Sequence, residues 1–320
     1  MSPHELLSSL RLPIMQAPMS IASSRELVTA ASLAGVIGCF PTHNARRGGG
    51  LAHWVDRIRA DLDASIAAGG RPAPFAININ MSSRRVPEEF AEDLAVCRAV
   101  RAPIVTTNAG DPRRVLDDVH GWGGLVIHDA TTLQHAERAI AAGVDGLMLV
   151  CAGAGGLGGQ LSPFTFLRRV RAMFDGLIVL AGGIADGRGV AAAQMLGADL
   201  VCMGTRFIAT REAGAPEGHK AMLVDTDIAD VLWTDAICGV DANFLRPSVE
   251  ANGLDPARLP PLSASGRPGI PREIKPWSMV WSGGHSTALV DDVPTVATLV
   301  DRLEREYREA RSHAPHLTAA

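Results

Sequence analysis

The 320-residue chain carries 30 basic and 34 acidic residues for a formal net charge of −4, so no surplus of positive charge is available for nucleic acid or anionic lipid, and small-molecule chemistry is the default. Its five cysteines, Cys39, Cys97, Cys151, Cys202 and Cys238, are odd in number and form no C-x-x-C pair, which argues against a disulfide framework or a zinc site. The opening 1-MSPHELLSSLRLP-13 has no apolar signal core and no apolar run reaches membrane-spanning length, which points to a cytoplasmic protein without a membrane partner.

In chain order, short apolar runs alternate with alanine- and leucine-rich helical segments. The expected strands are 13–19, 36–40, 74–79, 103–108, 124–129, 146–151, 177–182 and 200–205, most of them continuously apolar, as strands buried on both faces are. Three intervening helices end alike, in 32-SLAGV-36, 141-AAGVD-145 and 195-MLGAD-199, where glycine can take the left-handed conformation before the chain enters the next strand. Eight such βα units predict an α/β fold of the TIM (β/α)8 barrel type, with a doubly wound open sheet as the alternative. The barrel is assigned to residues 1–225. The proline-rich stretch from 226 to 292, including 255-DPARLPPLSASGRPGIPREIKP-276, is expected to be an insertion or lid over the barrel mouth. Residues 293–320 are expected to form a C-terminal helix packing on the barrel, with a tail.

Barrels place function on the loops after the strand C-termini, commonly with a phosphate site after the seventh and eighth strands. Here the seventh run ends in 181-AGGIADGRG-189 and the eighth in 203-MGTRF-207. Two glycine turns at adjacent barrel positions leave backbone amides free to approach an anion.

The segments 16-QAPMS-20, 75-FAININ-80, 128-HDATTLQHAERAIAAGVDGLMLVCAGAGG-156, 180-LAGGIADGRGVAAAQMLGADLVCMGTRFIAT-210 and 276-PWSMVWSGGHSTALVDDVP-294 together make the chain similar to the nitronate monooxygenase family, formerly called 2-nitropropane dioxygenases. The resemblance covers nearly the whole chain and is most specific from His128 to Thr210. It implies a TIM barrel holding noncovalent FMN, related to FMN-dependent enoyl-acyl-carrier-protein reductases and quinone reductases. It further implies phosphate contacts from Gly182, Gly183, Gly204 and Thr205, a Met19 contact with the ring edge, and an Asn78 hydrogen bond to the ribityl chain or ring. Gly155 and Gly156 would let backbone come close to the ring. A bound flavin carries the redox chemistry, and the protein binds, orients and tunes it.

Two positions depart from the family. Its Gly-Gly pair is usually followed by a histidine proposed as the base, where this chain has Leu157, a residue that cannot accept a proton. Where relatives commonly read Trp-x-Ala-Gly-Gln-Gly, this chain reads 281-WSGGHSTAL-289. His285 either supplies the proton transfer lost at 157 or replaces a glutamine hydrogen bond. His128, ending the fifth strand, is a second catalytic candidate or a structural histidine, and His43 either faces the substrate with Leu157 or is an exposed loop residue. Three functions remain open: an O2-using oxidase of nitronates, an NAD(P)H-linked reductase of an enoyl, enone or quinone, and a flavin-binding barrel with little catalysis. No separate G-x-G-x-x-G nicotinamide fingerprint follows a first strand. The implied partners are a small-molecule substrate and O2, with NAD(P)H and a second copy of the chain left open.

Overall fold

Each of the eight expected apolar runs forms a strand, and the strands close into one parallel barrel. A computed structural model describes residues 1–46, 48–83 and 85–312. The strands are β1 (Ile14–Gln16), β2 (Gly38–Pro41), β3 (Phe75–Asn80), β4 (Ile104–Asn108), β5 (Leu125–Ala130), β6 (Gly146–Val150), β7 (Leu177–Ala181) and β8 (Leu200–Met203). Neighbours in sequence are neighbours in the sheet from β2 to β8, and β8 pairs with β1. Closure comes where Gln16 donates to the Ile37 carbonyl at 2.8 Å and Ile37 donates to the Ile14 carbonyl at 2.9 Å. The closed ring excludes the open-sheet alternative.

Alternation sorts the side chains into two shells. Met15, Cys39, Ala76, Ile104, Ile127 and Val179 face the barrel interior, while Ile14, Phe40, Ile77, Val105, Val126 and Ile178 face the surrounding helices. The N-terminal helix Pro3–Ser9, opened by a Ser2 and Glu5 capping box, places fully buried Leu6 in the interior cluster with Leu125, Leu177 and Leu200, which plugs the bottom. Gly143 (φ 94°) and Gly197 (φ 106°) end their helices in the left-handed conformation, as the repeated sequence endings require.

After β8 the chain leaves the barrel and returns only at Val296–Ser312, whose helix packs against Gly187–Leu196 and Arg25–Leu33 and so fills the last helical position of the ring. The tail from 313 to 320 lies outside the described residues. Within the excursion, Val231–Thr234 pairs antiparallel with Ala242–Leu245, which pairs in turn with Gly156–Leu157 from the loop after β6. These short strands were not legible in the proline-rich sequence. They enclose a small second core of Ile237, Phe244, Val249, Ile270 and Val280, with Trp277 stacked on Phe244 at 5.0 Å. No helix or strand forms from 255 to 275. No described helix is long and apolar enough to cross a membrane.

Leu6→Ala removes a fully buried plug at the end of the barrel opposite the strand C-termini. It should cost roughly 2–4 kcal/mol of stability in a denaturant titration while leaving ligand affinity at the mouth unchanged.

Candidate active site

The inward-facing positions change character toward the strand C-termini, where a cavity of about 360 Å³ opens at the barrel mouth. Its floor is made by Asn78, Asn108, Asp129, Met148 and Cys202, and its rim by Met19, His43, Leu157, His219 and Trp277. Among the described residues, the lining holds no lysine or arginine. Any anion here must therefore be held by amides, hydroxyls or imidazoles.

The loops after β7 and β8 supply amides. Gly182 (φ 123°) and Gly183 (φ 70°) adopt backbone that L side chains resist, and a Cβ added at Gly183 would meet nothing within 4 Å. The turn thus opens onto space, while the helix start behind it is already capped, Asp186 taking the Gly189 amide at 2.7 Å. Among the described residues, the amides of Gly182, Gly183, Gly204 and Thr205 donate to no backbone carbonyl outside regular structure. The Thr205 hydroxyl accepts from the Gly284 amide at 2.9 Å, which leaves its own proton to donate. Gly155 lies close by: a Cβ there would be 2.8 Å from the Gly284 amide nitrogen and 3.0 Å from the Thr205 hydroxyl. These four glycines and one threonine meet on one side of the mouth.

Across the mouth the floor is polar. Asn78 spends its amide group on the Thr106 hydroxyl at 3.0 Å, leaving its carbonyl to the cavity side. The Oδ1 atoms of Asn108 and Asp129 are buried with no hydrogen-bond partner. Orphaned acceptors of this kind are uncommon in a finished interior, and these two border the cavity. Met19 approaches Gly204, its sulfur 3.4 Å from where a Cβ would stand. Gly156 and Leu157 are held by the small antiparallel sheet, reinforced by Asn243 donating to the Ala154 carbonyl at 2.7 Å. Leu157 stands at the rim, 49% exposed. His43 lines the rim and its Nε2 is 2.9 Å from the Ser20 hydroxyl.

The two histidines taken from the sequence as catalytic candidates do not line this cavity. His128 follows inward Ile127 and therefore faces outward, where its Nδ1 meets the Thr107 hydroxyl at 2.8 Å. Burial lowers its pKa from 6.5 to about 4. His285 is exposed and its ring lies along the backbone of Gly153, whose carbonyl accepts its amide at 2.9 Å. Its neighbours Ser282 and Ser286 reach the cavity instead.

Two residues that the sequence reading passed over stand where those histidines were expected. Asp129, one position after His128, faces inward by strand alternation, and burial raises its carboxyl from the ordinary 3.8 to about 7. His219, on the helix Glu217–Asp225, is buried, stacks on Trp281 at 5.3 Å and bonds the Ser282 carbonyl through Nε2 at 2.9 Å. A carbonyl only accepts, so Nε2 carries the proton and Nδ1 presents a lone pair. Burial lowers this imidazole to about 4 against the opposing pull of the Ser282 carbonyl, so it is neutral at physiological pH. The cavity therefore offers glycine backbone at one edge, one half-buried acid and one neutral imidazole.

A carboxyl whose pKa is raised on folding destabilises the fold as it ionises. The loss grows as pH rises from near 4 to near 7 and then levels, reaching a few kcal/mol for a shift from 3.8 to about 7. Asp129→Asn should therefore stabilise the ligand-free protein, with a melting-temperature advantage larger at pH 8 than at pH 5. Equal advantage at both would show that the carboxyl titrates normally.

Comparison with known proteins places the chain in a family. A curated nitronate monooxygenase from Paraburkholderia phytofirmans is 30% identical over 93% of both chains. Among solved structures, nitroalkane oxidase from Streptomyces ansochromogenes superposes with a TM-score of 0.77 at 25% identity, covering 96% of this chain and 99% of that one. FabK from Thermotoga maritima superposes with a TM-score of 0.74 at 26% identity, covering 96% of each. The model of the family described as nitronate monooxygenase matches residues 3–306, and the chain belongs to that family of flavin-dependent oxidoreductases.

Proposed function

We propose that the chain is an FMN-dependent oxidoreductase of the nitronate monooxygenase kind, which oxidises alkyl nitronates or a related activated small molecule with O2. The observation that carries the reading is the pair of glycine turns after β7 and β8, with open space beside Gly183, at one edge of a cavity whose opposite floor holds unpartnered acceptors. The two features match the two polar ends of a flavin mononucleotide, a phosphate and a pyrimidine ring. Gly182, Gly183, Gly204 and Thr205 would hold the phosphate, Asn78 the ring or ribityl chain, and Met19 the ring edge. Gly155 and Gly156 keep the neighbouring loop thin enough for close approach. When bound, FMN supplies the electron transfer; the chain's residues bind it, exclude water and set what reaches it.

Leu157 supports an apolar substrate end. It replaces the histidine expected after the Gly-Gly pair, and Trp277 shares the rim with it. His43 stands on the rim as a polar contact, and proton handling falls to His219, the buried imidazole on the lining, with His285 held apart from it. The likeness to FabK, nearly equal in TM-score to that of nitroalkane oxidase, supports a second reading, an NAD(P)H-linked reductase of an enoyl, enone or quinone substrate.

The purified protein should be yellow, release FMN on denaturation, and bleach anaerobically on addition of an alkyl nitronate. Bleaching by NADH or NADPH alone would establish the reductase instead, and a colourless protein that takes up no FMN would sink both. Gly183→Leu should abolish FMN retention measured by fluorescence titration, since its side chain fills the open cradle and its backbone sits at φ 70°; unchanged affinity would remove that turn from the site. Leu157→His should raise anaerobic flavin reduction by a neutral nitroalkane by on the order of 10²-fold. His219→Ala should lower whatever proton-dependent rate the wild type has, and His285→Ala should leave it unchanged; the reverse pattern would return the role to His285.

A further inference from the structure

We infer that Asp129 meets the bound flavin as a neutral acid, donating a hydrogen bond to the pyrimidine ring, so that the protein's hold on its cofactor weakens as pH rises. The inference rests on the FMN reading above and assigns a residue and a pH response to that site.

The geometry begins with strand register. Leu125 and Ile127 of β5 face the interior, so Asp129 must as well, and it reaches the cavity floor beside Asn108 of β4 and Met148 of β6. Its Oδ1 is buried and unpartnered, as is that of Asn108. Asp129 is half-buried, open on one side to the cavity, so a carboxylate here would leave one oxygen, Oδ1, desolvated and unsatisfied, a costly arrangement. A carboxylic acid, by contrast, is a donor, and one is needed here. The floor also presents carbonyl oxygens, from Asn108 and from Asn78, whose amide group is spent on Thr106. A flavin pyrimidine ring carries one N–H flanked by two carbonyl oxygens. The asparagine carbonyls suit the N–H, and a protonated Asp129 adds a hydrogen for a neighbouring oxygen, where an ionised one would oppose it. The phosphate cradle lies at β7 and β8, across the barrel from β3 to β5, so the ring end falls on this floor.

Among the described residues, no neighbouring charge favours the ionised form. The titratable groups that meet Asp129 electrostatically are the thiols of Cys39 on β2 and Cys202 on β8, both pushed up by burial and so neutral. Among the described residues, the other titratable side chains on the lining besides Cys202 are His43 and His219, and neither is a lysine or arginine fixed in charge. His128, the adjacent residue, points out of the barrel to Thr107. Burial alone raises the acid to about 7 before any ligand covers it. An ionised Asp129 would aim its charge at carbonyl oxygens, so binding falls as pH rises through this range.

The test is FMN affinity of the flavin-stripped full-length protein between pH 6 and pH 9, for wild type and Asp129→Asn, followed by quenching of FMN fluorescence. Asparagine keeps the shape and a hydrogen to donate but does not ionise. Titration of the FMN phosphate affects both proteins alike and cancels in the ratio. If only the protonated form binds, apparent affinity falls in proportion to that form's population, and wild-type Kd should rise at least about tenfold relative to the variant across this range. A ratio that stays flat overturns the inference while leaving the FMN reading intact; absence of FMN binding at every pH overturns both. Should Asp129→Asn fail to fold, infrared spectra of the wild-type flavin complex with isotope-labelled aspartate decide at pH 8. A protonated carboxyl band supports the inference and its absence overturns it.

Discussion

A closed barrel gives each strand residue one of two faces and no third, and this alternation governs both the stability and the site. Residues pointing in below the mouth meet other strands' side chains and are apolar: Met15, Ala76, Ile104, Ile127, Val179. The same rows continue upward into Asn78, Asn108 and Asp129, which line the cavity. The polar floor is thus an extension of the core's own register, and no separate element builds it. A change of one residue in that register would turn His128 inward and Asp129 out, replacing a buried acid by an imidazole.

The second structural dependence is between the cap and the loop after β6. Gly156 and Leu157 form the edge of the sheet made by Val231–Thr234 and Ala242–Leu245, and Asn243 reaches the Ala154 carbonyl. On the other side, Gly284 lies against Gly155 so closely that a Cβ on either would collide with the other's backbone. The cap therefore fixes the position of the loop that borders the cavity, and Thr205, by taking the Gly284 amide, joins the cap to the end of β8. Asp292 adds a further tie, receiving Arg206 at 2.9 Å and pairing with Arg302 of the last helix.

Strand positions were legible because parallel strands buried on both faces read as continuous apolar runs, and the glycines at 143 and 197 announced helix ends that their positive φ then required. The glycine turns after β7 and β8 were legible for a similar reason, since only glycine leaves that backbone bare. The inward polar row was harder to see. In 124-GLVIHD-129 the histidine draws attention as the usual proton carrier, yet counting alternate residues from Leu125 leads to Asp129; the signal was present and called for register, not residue type. His219 had no such signal. It sits on a helix outside the βα repeat, and only the return of the chain at Trp281 and Ser282 buries it against the mouth. The cap strands were hidden because each is only four residues long within a stretch dominated by proline and turn residues.

These placements decide what kind of selectivity the mouth can exert. With no lysine or arginine on the described lining and His219 buried as a neutral ring, no permanently cationic side chain draws in an anionic substrate, and shape and hydrogen bonding must do the sorting. His219 has committed its proton to the Ser282 carbonyl and so offers only a lone pair. It suits a substrate group that brings a hydrogen and opposes one that brings a second acceptor. Leu157 and Trp277 make their part of the rim apolar, which favours burial of a hydrocarbon end by about 25 cal/mol for each Å² removed from water. A histidine at 157 would place a polar, protonatable group beside Trp277 on this part of the rim, where leucine presents only hydrophobic contact.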